Sequence, residues 1–499
     1  MMKERTYYPR TAAAKVKYLT AHYPCVLVLG ARQVGKSTLL QALRPEGMNY
    51  VTLDDYTLAA QAKRDPLGFL QEHKAPLFID EVQYAPELLR AIKLKVDEAG
   101  QNGMYWLTGS QQFHLMKGVT ETLVGRVGIL DLLSMSQREM LGLGESAPVF
   151  DPEQPDEYAA GGRMCDIHEL YERIWRGGYP VLCRDPELES DGFFDSYVRT
   201  FLERDVRELS QVGDRAAFVK FMQSAALRTG QQLVYADLAR DAEVSPNTVK
   251  SWISILETTG IISLLQPYSA NAIKRLTKTP KLYFMDTGLC AWLAGWGNAG
   301  SLMQSPMSGA ILETWVYGQL MRSFNHNGKR PNLYFFRDAK GTAEVDFVLV
   351  QNGTIYPMEV KRSSTPALAD LRHAAKIPTG MFKLHPGIIF CTGERMIGKL
   401  QYVLNNGSKD TDISLVPLSY RLIVVRSISR QSASSVCVRF SLSRLDSNRF
   451  PSFLRKLDIR VSFCSFVSFV IVLYIKSSNQ CASLSHILCR YTKFMGRMD

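Results

Sequence analysis

The most constraining feature of this 499-residue chain is a short apolar run, CVLVLG at 25–30, that passes directly into GARQVGKST at 30–38 and then into the helix-like STLLQAL. The run is rich in β-branched residues and Leu, the composition of a fully buried strand. The loop fits GxxxxGK[ST] in the strand–loop–helix context that this spacing needs. Gly30 and Gly35 let the backbone curl so that successive N–H groups point at one anion. Ala31, Arg32, Gln33 and Val34 lie between them, and the following helix adds its positive N-terminal end. Lys36 is placed to reach β and γ phosphates, and the hydroxyl of Ser37, next to Thr38, to ligate Mg2+. A chain built around such a loop is expected to be α/β, with a parallel sheet.

A second strand ending in acids should complete such a site. APLFIDEVQ supplies it, with Leu77, Phe78 and Ile79 followed by Asp80 and Glu81, and Asp80 falls 44 residues after Lys36. Asp80 is expected to hold the magnesium through water, and Glu81 to orient or deprotonate the attacking water. A third strand, MYWLTGS at 104–110, ends in small polar residues. Thr108 or Ser110 can sense a γ-phosphate there; an ordinary strand-end turn is the plainer alternative. In LVGRVGILDL, Arg126 lies between two glycines ahead of another apolar run. Arg126 either stabilises transition-state charge, in cis or from a neighbouring subunit, or is a surface arginine.

Together GARQVGKSTLL, YVTLDD (50–55), LFIDEVQ, LTGSQQ and the VGR…REM segment resemble the AAA-type P-loop ATPases of prokaryotes whose loop reads GxRQxGK[ST]. The resemblance runs over roughly residues 5–425. It implies ATP and Mg2+ as ligands. It also implies a conserved C-terminal domain of unknown function, opened by a segment similar to YERIWRGGYPVL (171–182) and containing a stretch similar to YFMDTGLCAWL (283–293). No chemical role is assigned to Asp286 in that stretch beyond capping the turn before Gly288.

Charge divides the chain. Its 59 Lys and Arg against 48 Asp and Glu give +11, which at face value points to nucleic acid or an anionic surface. The segment from Arg426 to Asp499 holds 12 of those basic residues, only 3 acids, 16 Ser and 4 of the 9 Cys, so the first 425 residues carry only +2. The expectation is an atypical tail over 426–499, translated out of frame after a frameshift near codon 426. Its apolar run Val461–Ile475 is 15 residues long, short of the about 20 a spanning helix needs. No stable membrane insertion is expected, and MMKERTYYPR leads into no signal-peptide pattern. The dispersed body cysteines, without a CxxC pair, fit a reducing cytoplasm.

The expected divisions are an ATPase core over 1–145, a linker over 146–165 that contains the acid- and Pro-rich SAPVFDPEQPDEYAAGG (146–162), and a helical and winged-helix region over 166–300. A nuclease-like domain over 301–425 and the tail follow. YVRTFLERDVREL (197–209) reads as a solvated amphipathic helix. Between Leu233 and Leu265 a helix over 236–242, a turn at Glu243–Ser245 and a second helix opened by Pro246 predict a winged helix. Val249, Trp252 or Ile253, and Leu256 face its core, while Asn247, Thr248, Lys250 and Ser251 point outward, where recognition helices read DNA. Gly260 ends the helix before an apolar strand. IKRLTKTPK (273–281) is a candidate wing whose Lys274, Arg275, Lys278 and Lys281 are available for phosphates. Such modules also serve as ATPase lids and protein docks.

NLYFFRDAKGTAEVDFVLVQNGTIYPMEVKRS (332–363) reads as three strands, with Asn352–Gly353 turning the last two. Asp346 lies on the middle strand, and Glu359 and Lys361 share one face of the third. This D…ExK arrangement resembles the PD-(D/E)xK nuclease fold. The resemblance implies carboxylates on Mg2+ and a Lys that positions water, with Glu313 of the helix GAILETWVYGQLMR (309–322) as a further acid. A surface ion-pair ladder is the competing reading. The overall expectation is a cytoplasmic Mg-dependent ATPase driving or gating a winged-helix and nuclease-like module, with DNA, a protein partner or a second copy as partner. An ATP-gated metal-dependent DNA endonuclease and a non-catalytic, nucleotide-controlled DNA- or protein-binding switch are the alternatives.

Overall fold

The computed structural model describes residues 7–110, 119, 122–145, 147–155, 166–202, 214–270 and 278–392, with short strand segments beyond them. The N-terminal part runs α1 (Ala12–His22), β1 (Cys25–Leu29), α2 (Lys36–Leu43), β2 (Asn49–Thr52), α3 (Tyr56–Arg64), α4 (Pro66–Glu72), β3 (Leu77–Asp80), α5 (Leu88–Ala99), β4 (Tyr105–Gly109) and β5 (Val127–Asp131). The five strands form one parallel sheet in the order β2-β3-β4-β1-β5. Leu27 lies beside Leu107 on one side and Ile129 on the other, and Ile79 lies beside Leu107. Parallel pairing puts the carboxyl ends of β1, β3 and β4 on one edge, where ligands bind in open α/β sheets.

Every residue of β1, β3 and β4 is buried, as expected of central strands covered on both faces. Alternation sends their side chains into two cores. Cys25, Leu27 and Leu29 pack with Phe69, Leu89 and Ile92 from α4 and α5. Val26 and Val28 pack with Val16 of α1 and Leu39 of α2, in a core that continues through Phe218, Leu256 and Leu320 to Phe390. One face of the parallel sheet is thus continuous with the core of the later described residues.

The middle part contains helices Ile167–Arg176, Pro180–Arg184, Ser190–Phe201, Arg215–Leu227, Tyr235–Ala242 and Pro246–Thr258. Glu243 turns the chain between the last two with a φ of 57°. Ser245 caps the second, its Oγ accepting the Thr248 N–H at 3.1 Å, and Pro246 takes the first position. Val249, Trp252, Ile253 and Leu256 are buried, whereas Asn247, Lys250 and Ser251 are exposed and Thr248 is half-buried. Strand Ile262–Leu265 then pairs antiparallel with Lys281–Phe284, which also pairs with Gln231–Gln232. Lys274, Arg275 and the part of the 197–209 stretch after residue 202 lie outside the described residues.

Helix Ser308–His326 leads into the C-terminal sheet. Strands Leu333–Arg337, Glu344–Gln351 and Thr354–Lys361 are antiparallel neighbours, and Ile388–Cys391 and then Ser414–Pro417 add on in parallel. Asn352 and Gly353, with φ of 50° and 74°, form a two-residue turn between the paired Gln351 and Thr354. Among the described residues, no helix is long and apolar enough to cross a membrane. The tail expectation falls outside them, apart from backbone segments such as Val425–Arg430 paired with Val436–Phe440.

Candidate functional site

The phosphate loop follows the carboxyl end of β1. Gly30 has φ 153°, and a Cβ there would come 2.1 Å from the Leu132 carbonyl oxygen, so no side chain fits. Gln33 (φ 61°) and Gly35 (φ 94°) take the left-handed region, which curls the loop. Ala31 and Val34 are buried, Arg32 is half-buried, and Gln33 and Thr38 are exposed. The Lys36 ammonium is buried and donates to the carbonyls of Gly30 at 3.1 Å and Ala31 at 2.9 Å. The loop and its lysine form one closed unit at the start of α2.

The structure brings Ser37, Asp80, Glu81, Thr108 and Ser110 together on the same edge. Ser37 Oγ donates to Asp80 Oδ1 at 2.7 Å, and Thr108 Oγ1 donates to the same oxygen. Thr108 Oγ1 also accepts the Glu81 N–H at 2.9 Å, so one hydroxyl bridges the two acids. Burial raises the Asp80 pKa, while the Thr108 and Ser37 hydroxyls oppose the shift. Glu81 takes φ 57°, and its Oε2 accepts from Gln83 Nε2 and from Ser110 Oγ at 3.3 Å. The acids are therefore separated: Asp80 faces Ser37, and Glu81 is held by Gln83 and Ser110. Sequence reasoning missed Gln83, although it stands in the quoted LFIDEVQ. It also missed Tyr50, whose hydroxyl donates to Asp80 Oδ2 at 3.4 Å. An oxygen-rich pair such as Ser37 and Asp80 suits Mg2+, a hard cation that prefers oxygen ligands.

Arg126 does not join this group. It precedes the amino end of β5, at the opposite edge of the parallel sheet, and its Nη2 donates to Asp97 Oδ2 at 2.9 Å. The register Cys25 to Val127 and Leu29 to Asp131 puts a whole strand, about 13 Å, between Arg126 and the loop. Action in cis, one expectation for this residue, is therefore corrected by its position.

A second polar cluster lies in the C-terminal part. Lys361 Nζ bonds Glu359 Oε2 at 2.7 Å, and Asp346 Oδ2 accepts the Val360 N–H at 2.8 Å. Burial, followed by the charge of Asp346, raises both Glu313 and Glu359 above the usual carboxylate range. Glu313 Oε1 accepts from Lys281 Nζ at 3.0 Å and from Tyr283 OH at 2.5 Å, and Lys281 also bonds Glu344 Oε1 at 2.6 Å. Lys281 is buried in this network, which corrects the expectation that it serves nucleic-acid phosphates; Lys278 is exposed. Among the described residues, no group of three or more His, Cys, Asp and Glu is arranged to hold a metal ion.

Residues 22–141 match the family described as AAA domain, residues 167–300 a domain of unknown function (DUF8612) and residues 308–409 a domain of unknown function (DUF4143). The chain is 29% identical over 384 residues to the uncharacterized proteins Rv2008c of Mycobacterium tuberculosis and Mb2031c of Mycobacterium bovis, covering 76% of this chain and 80% of each relative. Among solved structures it is similar to the Walker-type ATPase PABY2304 of Pyrococcus abyssi, at 15% identity over 58% of this chain and 99% of that one, with a TM-score of 0.36. It is also similar to the RuvB Holliday junction branch migration motor of Thermotoga maritima, at 17% identity over 53% and 93% of the two chains, with a TM-score of 0.24. Residues 22–141 thus form an AAA-type P-loop ATPase domain, joined in this chain to a C-terminal domain of unknown function over residues 308–409.

Proposed function

We propose that the chain hydrolyses ATP and uses the nucleotide cycle to drive or gate its C-terminal module. In this reading the loop from Gly30 to Thr38 binds the phosphates, with Lys36 on the β and γ groups. Ser37 and Asp80 hold Mg2+, which when bound neutralises developing phosphate charge. Glu81 orients or deprotonates the attacking water, and Thr108 and Ser110 register the γ-phosphate. Arg126 keeps one proposed role only, as a residue supplied to a neighbouring copy. The observation that carries the reading is the 2.7 Å contact between Ser37 Oγ and Asp80 Oδ1, side chains from the two motifs that such a site needs. The test is phosphate release by the full chain, with Lys36→Ala expected to abolish nucleotide binding and Glu81→Gln to retain bound ATP. Undiminished hydrolysis by Glu81→Gln would remove Glu81 as the base.

A second reading gives the C-terminal cluster metal-dependent DNA cleavage, with Glu313, Asp346 and Glu359 as acids and Lys361 beside the reacting water. What supports it is the placement of Asp346 and Glu359 on neighbouring antiparallel strands, with Lys361 Nζ 2.7 Å from Glu359 Oε2 and the Val360 N–H 2.8 Å from Asp346 Oδ2. Incubating DNA with Mg2+ or Mn2+ and comparing Lys361→Ala tests it, and equal cleavage by both proteins would reject this centre. The helix pair Tyr235–Ala242 and Pro246–Thr258 with its antiparallel strands fits a winged helix, whose exposed Asn247, Lys250 and Ser251 are the residues available to a DNA or protein partner.

A further inference from the structure

A buried ion pair outside the nucleotide-binding residues ties the phosphate loop to the C-terminal part of the protein. The Arg10 guanidinium, 4% exposed, donates from Nη1 to the Val34 carbonyl at 2.8 Å and from Nη2 to the Leu133 carbonyl at 2.8 Å. Its Nε lies 3.2 Å from Glu139 Oε1. Val34 is inside the phosphate loop, and Leu133 is on the chain leaving β5. A guanidinium is planar and offers donors in a fixed fork, so its two Nη groups set the separation of the Val34 and Leu133 carbonyls, while the Glu139 carboxylate holds it by charge.

Glu139 is fully buried; its Oε1 accepts the Thr11 N–H at 2.8 Å and its Oε2 accepts the Ser136 N–H at 2.8 Å. Oε1 also lies 3.1 Å from Nδ1 of His326, the last residue of helix Ser308–His326. The other ring nitrogen, Nε2, accepts the Leu133 N–H at 3.2 Å. A nitrogen that accepts from a backbone N–H carries no proton, so the proton of the neutral ring sits on Nδ1, facing Glu139. Leu133 therefore gives its carbonyl to Arg10 and its amide to His326. The same helix adds Gln319, whose Oε1 accepts the Gln137 N–H at 3.0 Å, and Ser323, whose Oγ accepts the Phe150 N–H at 2.6 Å.

We propose that Arg10 is a positioning residue for nucleotide binding, holding the phosphate loop at Val34, and that Glu139 and His326 fix Arg10 so that helix Ser308–His326 sets the affinity of the loop for Mg·ATP. The inference rests on the reading of the loop as the ATP site. A buried pair is a weak source of net stability because desolvation offsets its Coulomb attraction; here it fixes geometry. Linkage makes the coupling reciprocal, so ATP on the loop must alter the surroundings of His326.

The test uses the full chain with Mg·ATP as the probe, measuring Kd by calorimetry and KM and kcat by phosphate release. Arg10→Met is expected to weaken binding about tenfold, a loss of about 1.4 kcal/mol, and Arg10→Lys to recover part of it. His326→Ala is expected to raise Kd and KM several-fold with a smaller change in kcat. In the unmodified chain, saturating Mg·ATP should slow hydrogen exchange at the Leu133 amide and over residues 319–326. Folded Arg10→Met and His326→Ala proteins with unchanged Kd would overturn the proposal. Should those variants not fold, exchange at Leu133 and 319–326 indifferent to Mg·ATP overturns it equally. Lys36→Ala separates the two layers: if it binds Mg·ATP as the unmodified chain does, the ATP-site reading itself fails and the inference falls with it.

Discussion

Asp286 and Gly178 meet across 108 residues of sequence: Asp286 Oδ2 accepts the Gly178 N–H at 2.8 Å. The same oxygen accepts from Ser134 Oγ at 3.1 Å, and Oδ1 accepts the Gly288 and Leu289 N–H groups at 3.0 and 3.2 Å, capping helix Thr287–Leu293. Gly177 has φ 79°, and a Cβ there would lie 2.3 Å from Asp286 Oδ1. One buried carboxylate thus joins the RGGYP segment, the MDTGL segment and the chain leaving the ATPase sheet.

Asp286→Ala leaves four donors without this acceptor. A buried orphaned group costs about 1–3 kcal/mol, so a loss of at least about 3 kcal/mol is expected in urea unfolding. Asp286→Asn keeps one carbonyl oxygen for the helix cap and should lose about half as much. An alanine variant within about 1 kcal/mol of the parent would show that the joint is not held by this carboxylate.

Thr108 provides the second prediction. Its hydroxyl bridges the Asp80 carboxylate and the Glu81 N–H, and the residue is fully buried. Thr108→Val keeps the shape and removes both bonds. The loss of about 1–3 kcal/mol corresponds to a fall of about fivefold or more in kcat/KM for ATP hydrolysis. Thr108→Ser should recover most of it; a valine variant of parental activity would exclude the bridge from catalysis.

The Arg10–Glu139–His326 group predicts acid sensitivity. Burial works against a charged Glu139, but Arg10 first and His326 second reverse it and hold the carboxyl well below its ordinary 4.5. Burial lowers His326 below 6.5; Glu139 opposes this shift, and Arg10 and Arg322 reinforce it. A histidine kept neutral when folded contributes stability that is complete above 6.5 and declines as pH falls, because the unfolded chain then binds the extra proton. Glu139 has the same sign, with its contribution complete above 4.5 and lost as pH falls further. Unfolding free energy is expected to decline from pH 6.5 downward, by at most about 1.4 kcal/mol per unit for one histidine. His326→Asn should flatten the limb between pH 6.5 and 5, and an unchanged limb would remove His326 as its source.

The legible parts of the sequence were those whose chemistry dictates spacing. GARQVGKST and LFIDE are local strings, and the strand order that brings Ser37 to Asp80 follows once both end on the same edge of a parallel sheet. The two-residue turn at Asn352–Gly353 and the helix opened by Pro246 were equally local. Arg126 misled because flanking glycines do not say at which end of a strand a residue stands; the parallel register does. Arg10, Lys281 and Asp286 depend on contacts between distant segments. Nothing in YYPR or TKTPK distinguishes an arginine or lysine that will be buried from one that will be solvated, because the acid that pairs with it is encoded far along the chain.

Lys281 supplies the last prediction. It comes from the strand Lys281–Phe284, yet it bonds Glu313 of the long helix and Glu344 of the C-terminal sheet. Its ammonium stays charged because Glu313, Asp346 and Glu344 together outweigh the effect of burial. Lys281→Met removes the cation and leaves Glu313 buried beside Asp346, and breaking one side of a buried pair costs about 3–5 kcal/mol. Lys281→Met combined with Glu313→Gln removes the orphaned charge, so the double variant should be more stable than Lys281→Met alone. Urea unfolding of the parent, both single variants and the double variant closes the cycle. Strictly additive losses would mean that Lys281 and Glu313 do not act as a pair. A coupling free energy of about 1 kcal/mol or more would establish that the strand and the acidic cluster form one electrostatic unit, which any movement of the strand must break.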